Sequence, residues 1–283
     1  MRPMAPSDTD KIELETIQYE RHGYVGWVHL NRPEKLNAMS TKMWKELATL
    51  GPQLRDDPSL RALIVIGNGR SFSAGIDLST FGGQGGGGDA GAGGFAGDVE
   101  ARQRAVAATQ EGYLWLNEAW YPTIAAVRGH ALGAGMQLAL ACDLRIAASG
   151  ARFGMLETKY GLMPDLTGTQ LLPRVVGPAK AKELIFTAAQ VDAEEGLRIG
   201  LVNQVVDDAD LESTVAALAE KLAGQPPIAM RWSKQAIEAS TTMPIREGLR
   251  FEHQGQAECI GSADFAEAIA AFIEKRPARF TGA

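Results

Sequence analysis

The sequence predicts an α/β fold, a layered core of strand–turn–helix units closed by a purely helical C-terminal region. Three observations predict it. Two runs of strand length, Ala62-Leu63-Ile64-Val65-Ile66 and Ile124-Ala125-Ala126-Val127, are continuously apolar, as strands buried on both faces are. Each feeds a glycine-rich turn, Gly67-Asn68-Gly69 in one case and residues 129–135 in the other. From about Asp210 onward the apolar residues recur with helical period alone. The expected division is a core over 12–206 and a helical region over 207–283.

Along the chain, residues 1–11 are polar and read as a flexible tail. Alternating apolar residues over 14–30, broken at Arg21-His22-Gly23, give a hairpin. After the polar loop 31–38, Ser40 is placed to cap a helix over 41–53 whose stripe is Met43, Trp44, Leu47 and Leu50. The buried run ending at Ile66 leads into Ser71-Phe72-Ser73-Ala74-Gly75-Ile76-Asp77-Leu78, where a second helix start is expected. Residues 82–97 hold ten glycines in sixteen positions, a composition that leaves a loop flexible, either without a role or as a lid. A helix follows over 98–120, its core stripe Val99, Val106, Tyr113 and Trp120 with Leu116 beside them.

The central stretch sits at Gly129-His130-Ala131-Leu132-Gly133-Ala134-Gly135-Met136-Gln137. A strand, a glycine turn and a helix start leave backbone N–H groups aimed at whatever lies before the helix. Beyond it come a buried strand at 144–148 and a return at 151–154. Further helices are expected at 178–188 and after Asp192, which is set to cap with Glu195 three residues later. A strand over 201–206 closes the core, and helices are expected at 211–223, 227–240, 245–260 and 262–275. Carboxylates arrive at the central stretch from the next turn of the chain: Glu157 twenty residues after Gln137, and Asp165 eight after that.

Composition narrows the function classes. At 283 residues, 45% hydrophobic and 22% charged, the chain is ordinary for a soluble protein with a sizeable core. A net charge of −6 without a basic block argues against nucleic acid as a partner. No apolar run is long enough for a membrane span and no secretory h-region is visible, so a cytoplasmic location is expected. Cys142 and Cys259 lack metal spacing and read as reduced structural thiols. His22, His29, His130 and His253 form no triad or metal pattern, and Ser73 lies outside any GxSxG elbow.

Taken together, the motifs resemble the enoyl-CoA hydratase/isomerase (crotonase) superfamily over nearly the whole chain. The resemblance is carried by Asn31-Arg32-Pro33 with Leu36-Asn37-Ala38, Phe72 to Leu78, Ala126 to Gly135, and Ala141-Cys142-Asp143-Leu144-Arg145-Ile146-Ala147. It continues through Arg152-Phe153-Gly154, Gly161-Leu162 with Pro164, Gly168-Thr169-Gln170, Leu172-Pro173-Arg174 and Ala193-Glu194-Glu195-Gly196. It implies a spiral of β-β-α turns with a C-terminal helical region, assembly as a homotrimer or a dimer of trimers, and an acyl-CoA thioester as substrate. Coenzyme A is then part of the substrate, and neither a separate cofactor nor a metal is expected.

By the same resemblance the oxyanion-hole amides fall on Ile76 and Ala134. Substrate and coenzyme contacts fall on Lys35, Leu36, Ala38, Ala74, Gly75, Asp77, Leu78 and Gly133. Phe272 and Lys275 would reach the coenzyme from a neighbouring subunit, although Lys275 also suits a helix end for the dipole alone. Asp77 is expected to fix its turn. Where hydratases of the family carry a first glutamate this chain has Gln137, and an amide cannot act as general base. The second glutamate is kept as Glu157, and Asp165 stands where dienoyl-CoA isomerases place an acid. The expected catalytic set is Glu157 as proton shuttle, Asp165 as its partner, a second acid/base or a turn residue, and Gln137 as a hydrogen-bonding or water-orienting amide. Double-bond isomerisation is the leading expectation, with hydration and a non-catalytic acyl-CoA-binding role as alternatives.

Overall fold

The computed structural model describes residues 10–77 and 97–283. The tail up to residue 9, Leu78 and all of the expected 82–97 loop except Gly97 lie outside the described residues.

The chain opens with three antiparallel strands, β1 (Lys11–Glu13), β2 (Ile17–His22) and β3 (Val25–Leu30). Gly23, at φ 59°, makes the turn between β2 and β3 that the sequence places there. Helix α1 (Thr41–Arg55) begins where Ser40 accepts a hydrogen bond from the Met43 N–H. The fully buried β4 (Ala62–Gly67) pairs parallel with β3. After α2 (Val99–Glu118), β5 (Thr123–Val127), β7 (Leu144–Ala148) and β10 (Gln204–Val206) extend the sheet in parallel. The seven-stranded order is β1-β2-β3-β4-β5-β7-β10.

A second sheet of three strands, β6 (His130–Leu132), β8 (Arg152–Gly154) and β9 (Gln190–Asp192), stands apart from it. The chain therefore winds with a regular step. It sends β5 to the large sheet, β6 to the small one and α3 (Ala134–Ala141) back, then repeats with β7 and β8. Ser73 bridges Ala131 in the same way, so residues after β4 begin another turn of this spiral. The β-β-α winding implied by the family resemblance is what the chain adopts.

One side of the large sheet packs on α1, α2 and α3 through Met43, Leu47, Tyr113 and Leu138. The other is covered by α7 (Leu211–Ala223), whose Leu211, Val215, Ala219 and Ala223 meet Val25, Ile64 and Ile124. Their spacing of four is the helical apolar stripe. Helices α4 (Gly168–Val176), α5 (Pro178–Thr187) and α6 (Ala193–Arg198) lie between β8 and β10. The remainder is α8 (Pro227–Ser240), α9 (Ile245–Gly261) and α10 (Ala263–Glu274). Lys234 fastens α8 to the core: its ammonium lies 2.9 Å from the Asp143 carboxylate and donates to the Leu116 and Tyr121 carbonyls. No helix of the described residues is long and apolar enough to cross a membrane.

Two local expectations are corrected. Val99, assigned to the core stripe of α2, is 62% exposed, because the first turn of α2 projects beyond the edge of the core. Described residues after β4 do not start a helix at Gly75. They bend at Phe72 and Gly75 and make single bridges, to Ala131 at Ser73 and to Met39 at Ile76.

Candidate active site

A cavity of about 330 Å³ lies where the 74–76 segment, the start of α3, the face of α2 and the 156–166 turn converge. Ala74, Gly75, Ile76, Gly133 and Ala134 line it, together with Gln137, Glu157 and Asp165. Eight of the expected site residues are thus brought together from three separated parts of the chain.

The two expected oxyanion donors reach the cavity by different routes. In a parallel bridge, Met39 N–H donates to the Gly75 carbonyl and Asp77 N–H to the Met39 carbonyl. The intervening Ile76 N–H takes no part in that pairing. Its availability comes from strand register, where a helix start had been expected. Ala134 is the first residue of α3, and such an N–H has no intrahelical acceptor. Among the described residues neither N–H has an acceptor. The two glycines before them are forced. Gly75 sits at φ 96°, and a Cβ there would lie 2.8 Å from the Leu132 carbonyl oxygen. A Cβ on Gly133, at φ 49°, would lie 3.3 Å from Glu157 Oε1.

Gln137, 1% exposed, fixes the geometry of the carboxylate. Its Oε1 accepts from the backbone N–H groups of Leu166 (2.8 Å) and Gly168 (3.0 Å). Two donors on one atom identify that atom as the oxygen, so the amide nitrogen must face Glu157, donating to Oε1 at 2.6 Å. The two N–H groups converge because Thr167 between them adopts φ 76°, a left-handed conformation that costs energy in a non-glycine residue. Deleting the amide would orphan both N–H groups, at roughly 1–3 kcal/mol each. Gln137 therefore has no acceptor capacity left and offers the cavity only N–H.

Glu157 begins a short 3₁₀ turn, Glu157–Tyr160, after β8. Its Oε1 is taken by Gln137, while Oε2 is buried with no hydrogen-bond partner. Burial pushes its carboxyl above the ordinary value of 4.5, the charge of Asp165 adds to the rise, and hydrogen bonds from its own backbone and from Gln137 oppose it. Burial also raises Asp165, whose backbone carbonyl is held by the Gln110 side chain at 2.6 Å. A buried carboxyl with one free oxygen, beside two available backbone N–H groups, can carry a proton to or from a carbon whose neighbouring oxygen those N–H groups stabilise.

The polar loop 31–38 is held against this segment by Asn37. Its amide donates to the carbonyls of Asn68 (3.0 Å) and Ser71 (2.8 Å) and accepts from Arg32 N–H. Ala74 N–H then bonds the Leu36 carbonyl at 2.9 Å, which brings Leu36, with Lys35 and Ala38 flanking it, alongside the cavity wall. Asp77 pairs with Arg32 at 2.9 Å, an arrangement that secures the turn. Phe272 and Lys275 are at the far end of α10, exposed and away from the cavity lining. Residues that sequence reading left out are Arg102 and Thr109, which line the cavity with Val106, and Gln110 beneath them. The helical spacing 102, 106, 109, 113 was the available signal.

A family model described as enoyl-CoA hydratase/isomerase matches residues 20–283. A short-chain-enoyl-CoA hydratase of Clostridium acetobutylicum is 38% identical over 266 residues, covering 94% of this chain and 97% of that protein. The crystal structure of a putative enoyl-CoA hydratase from Streptomyces coelicolor A3(2) covers the whole of both chains with a TM-score of 0.88 at 33% identity. A putative enoyl-CoA hydratase from Thermobifida fusca YX, solved in complex with acetoacetyl-CoA, matches with a TM-score of 0.80 at 38% identity, over 87% of this chain and 95% of that one.

Proposed function

Because the chain belongs to the enoyl-CoA hydratase/isomerase family, we propose that it acts on a 2-enoyl-CoA thioester and adds water reversibly across the C2–C3 double bond, with Glu157 as the proton carrier. The observation that carries the reading is Glu157 itself: one oxygen fastened to Gln137, the other buried and unpartnered beside the Ile76 and Ala134 N–H groups. The thioester oxygen accepts from those two N–H groups, which draws electron density from C3. Water bonds to C3 and gives a proton to Glu157 Oε2. The resulting enolate takes that proton at C2, so one carboxyl serves twice and is returned unchanged. Gln137 cannot accept a hydrogen from the water, so it contributes by holding Glu157.

A second reading is supported by the same amide. With a single carboxylate in that contact, Glu157 can remove a proton from C4 of a 3-enoyl thioester and return it to C2. Gln137 taken by itself puts this isomerisation first. Relatives that match over nearly their full lengths are named hydratases, which supports the opposite order. Lys35, Leu36 and Ala38 would then hold the coenzyme. Trimer assembly would bring Phe272 and Lys275 of a neighbouring copy toward it. Phe272 and Ile273 are 83% and 71% exposed, a surface that fits such a role.

Chromatography of 2-enoyl-, 3-enoyl- and 3,5-dienoyl-CoA after incubation separates the readings. A 3-hydroxyacyl-CoA product from the 2-enoyl substrate is expected. Isomerisation without hydration would reverse the order, and binding without turnover would refute both. The pH profile follows from the raised Glu157 pKa. The base form is lost as pH falls, so kcat/KM should decline through an apparent pKa above 4.5. An acid limb at or below 4.5 would remove Glu157 from the base role. The matching stability effect has the opposite sense. A carboxyl raised on folding stabilises the protein below the unfolded pKa, and that contribution is lost as pH rises through the folded one.

A further inference from the structure

The cavity carries one positive group that the chemistry above does not use. Among its described lining residues, Arg102 is the sole cation. Its guanidinium has no ion pair or hydrogen bond among the described residues, although Arg32, Arg128 and Arg276 are all paired. Among the described residues it makes no ion pair with Glu157 or Asp165, whose carboxyls burial holds above their ordinary values.

Arg102 shares a stripe of α2 with Val106, Thr109 and Tyr113. That stripe runs from inside to outside. Tyr113 is fully buried and feels the charges of Asp165 and Glu157, Val106 and Thr109 are half-buried, and Arg102 is exposed at the rim. At 1.5 Å per residue, Arg102 lies about 10 Å along the axis from Thr109. Apart from Thr109, the walls between the carboxyls and that rim are largely apolar, with Trp44, Leu162 and Met163 contributing. A chain that follows α2 outward thus meets methyl and methylene surface first and a guanidinium last.

We propose that Arg102 receives an anionic oxygen group of the bound thioester, most directly a carboxylate at the far end of the acyl chain. A phosphate of the coenzyme has the same chemistry. The acyl end is favoured because Leu36, in the loop assigned to the coenzyme, abuts the cavity at Ala74, on a different wall from α2. The inference deepens the proposed function and requires only that a coenzyme A thioester occupies this cavity. Arg102 is a specificity residue here, with no part in the proton transfer.

The test is calorimetric binding of saturated thioesters, which needs no turnover. Octanoyl-CoA, its ω-carboxy counterpart suberyl-CoA, and the two corresponding pantetheine thioesters, which lack phosphate, are titrated into the native protein and Arg102→Gln. The native protein is expected to bind each ω-carboxy ligand about tenfold more tightly than its methyl-ended counterpart, and Arg102→Gln to erase that difference. Weakening of both coenzyme A ligands alike, with both pantetheine ligands unaffected, would assign the anion to the coenzyme phosphate. Equal affinities of native and variant protein for all four ligands would overturn the proposal. Failure of enoyl-CoA turnover would sink the proposed reaction without touching this result, since binding is read independently.

Discussion

Glu157→Gln is expected to slow turnover of an enoyl-CoA substrate by roughly 10²–10⁴-fold, the usual contribution of a positioned acid–base group. The substitution keeps the shape of the side chain. Its remaining oxygen can still accept from the Gln137 amide that holds Oε1 at 2.6 Å, so the turn after β8 should stay in place. What disappears is the ability of the second oxygen to take up a proton. The loss should therefore fall on kcat, with the affinity for a saturated acyl-CoA changed only a few-fold. Steady-state kinetics beside calorimetric binding separates the two. A variant that retains native kcat would pass the proton-carrying role to Asp165, the other raised carboxyl in the cavity.

Ala134→Pro should cost about 10²–10³-fold in kcat while leaving a folded protein. Ala134 is the first residue of α3, a position where proline is well tolerated because its missing N–H has no intrahelical acceptor to lose. Gly133 before it has φ 49° and ψ −122°, outside the helical region that a following proline disfavours. The substitution thus removes one N–H from the thioester oxygen's site and sets a ring carbon in its place. The magnitude is that of losing one oxyanion donor. Circular dichroism and a denaturant midpoint near the native value would establish folding. Unimpaired kcat in a folded variant would remove Ala134 from the oxyanion site.

The sequence made the buried strands and most helices legible because they are local. The apolar run of β4 is buried throughout, and α7 and α8 begin and end where their patterns do. Asp192 caps α6 by accepting from Glu195 N–H, as its spacing from Glu195 suggests. What escaped depends on distant partners. β6 is three residues inside a glycine-rich stretch and exists because β8 pairs with it. α4 follows Thr167 in a left-handed conformation, which no propensity marks as a helix start.

For the site, the motifs placed Glu157, Asp165, Ile76 and Ala134 around one cavity. Two things stayed hidden. That Gln137 spends its oxygen on Leu166 and Gly168 is a matter of a loop 29 and 31 residues away folding back onto it. That Arg102 faces the cavity depends on how α2 is rotated, and the apolar pattern pointed to Val99 in its place. The isomerase-first expectation rested on residue identity at one position, while relatives with hydratase names match along nearly the whole chain.

The Gln137 oxygen also sets a clock. Leu166 precedes α4 and Gly168 is its first residue, positions whose N–H groups have no intrahelical acceptor and ordinarily exchange with solvent through small openings. Theirs are held by a buried acceptor on α3, so exchange with deuterium must wait for the amide to release them. The same release would set the Glu157 carboxyl loose. Slow exchange at these two positions and retention of the proton carrier in its working place are one equilibrium.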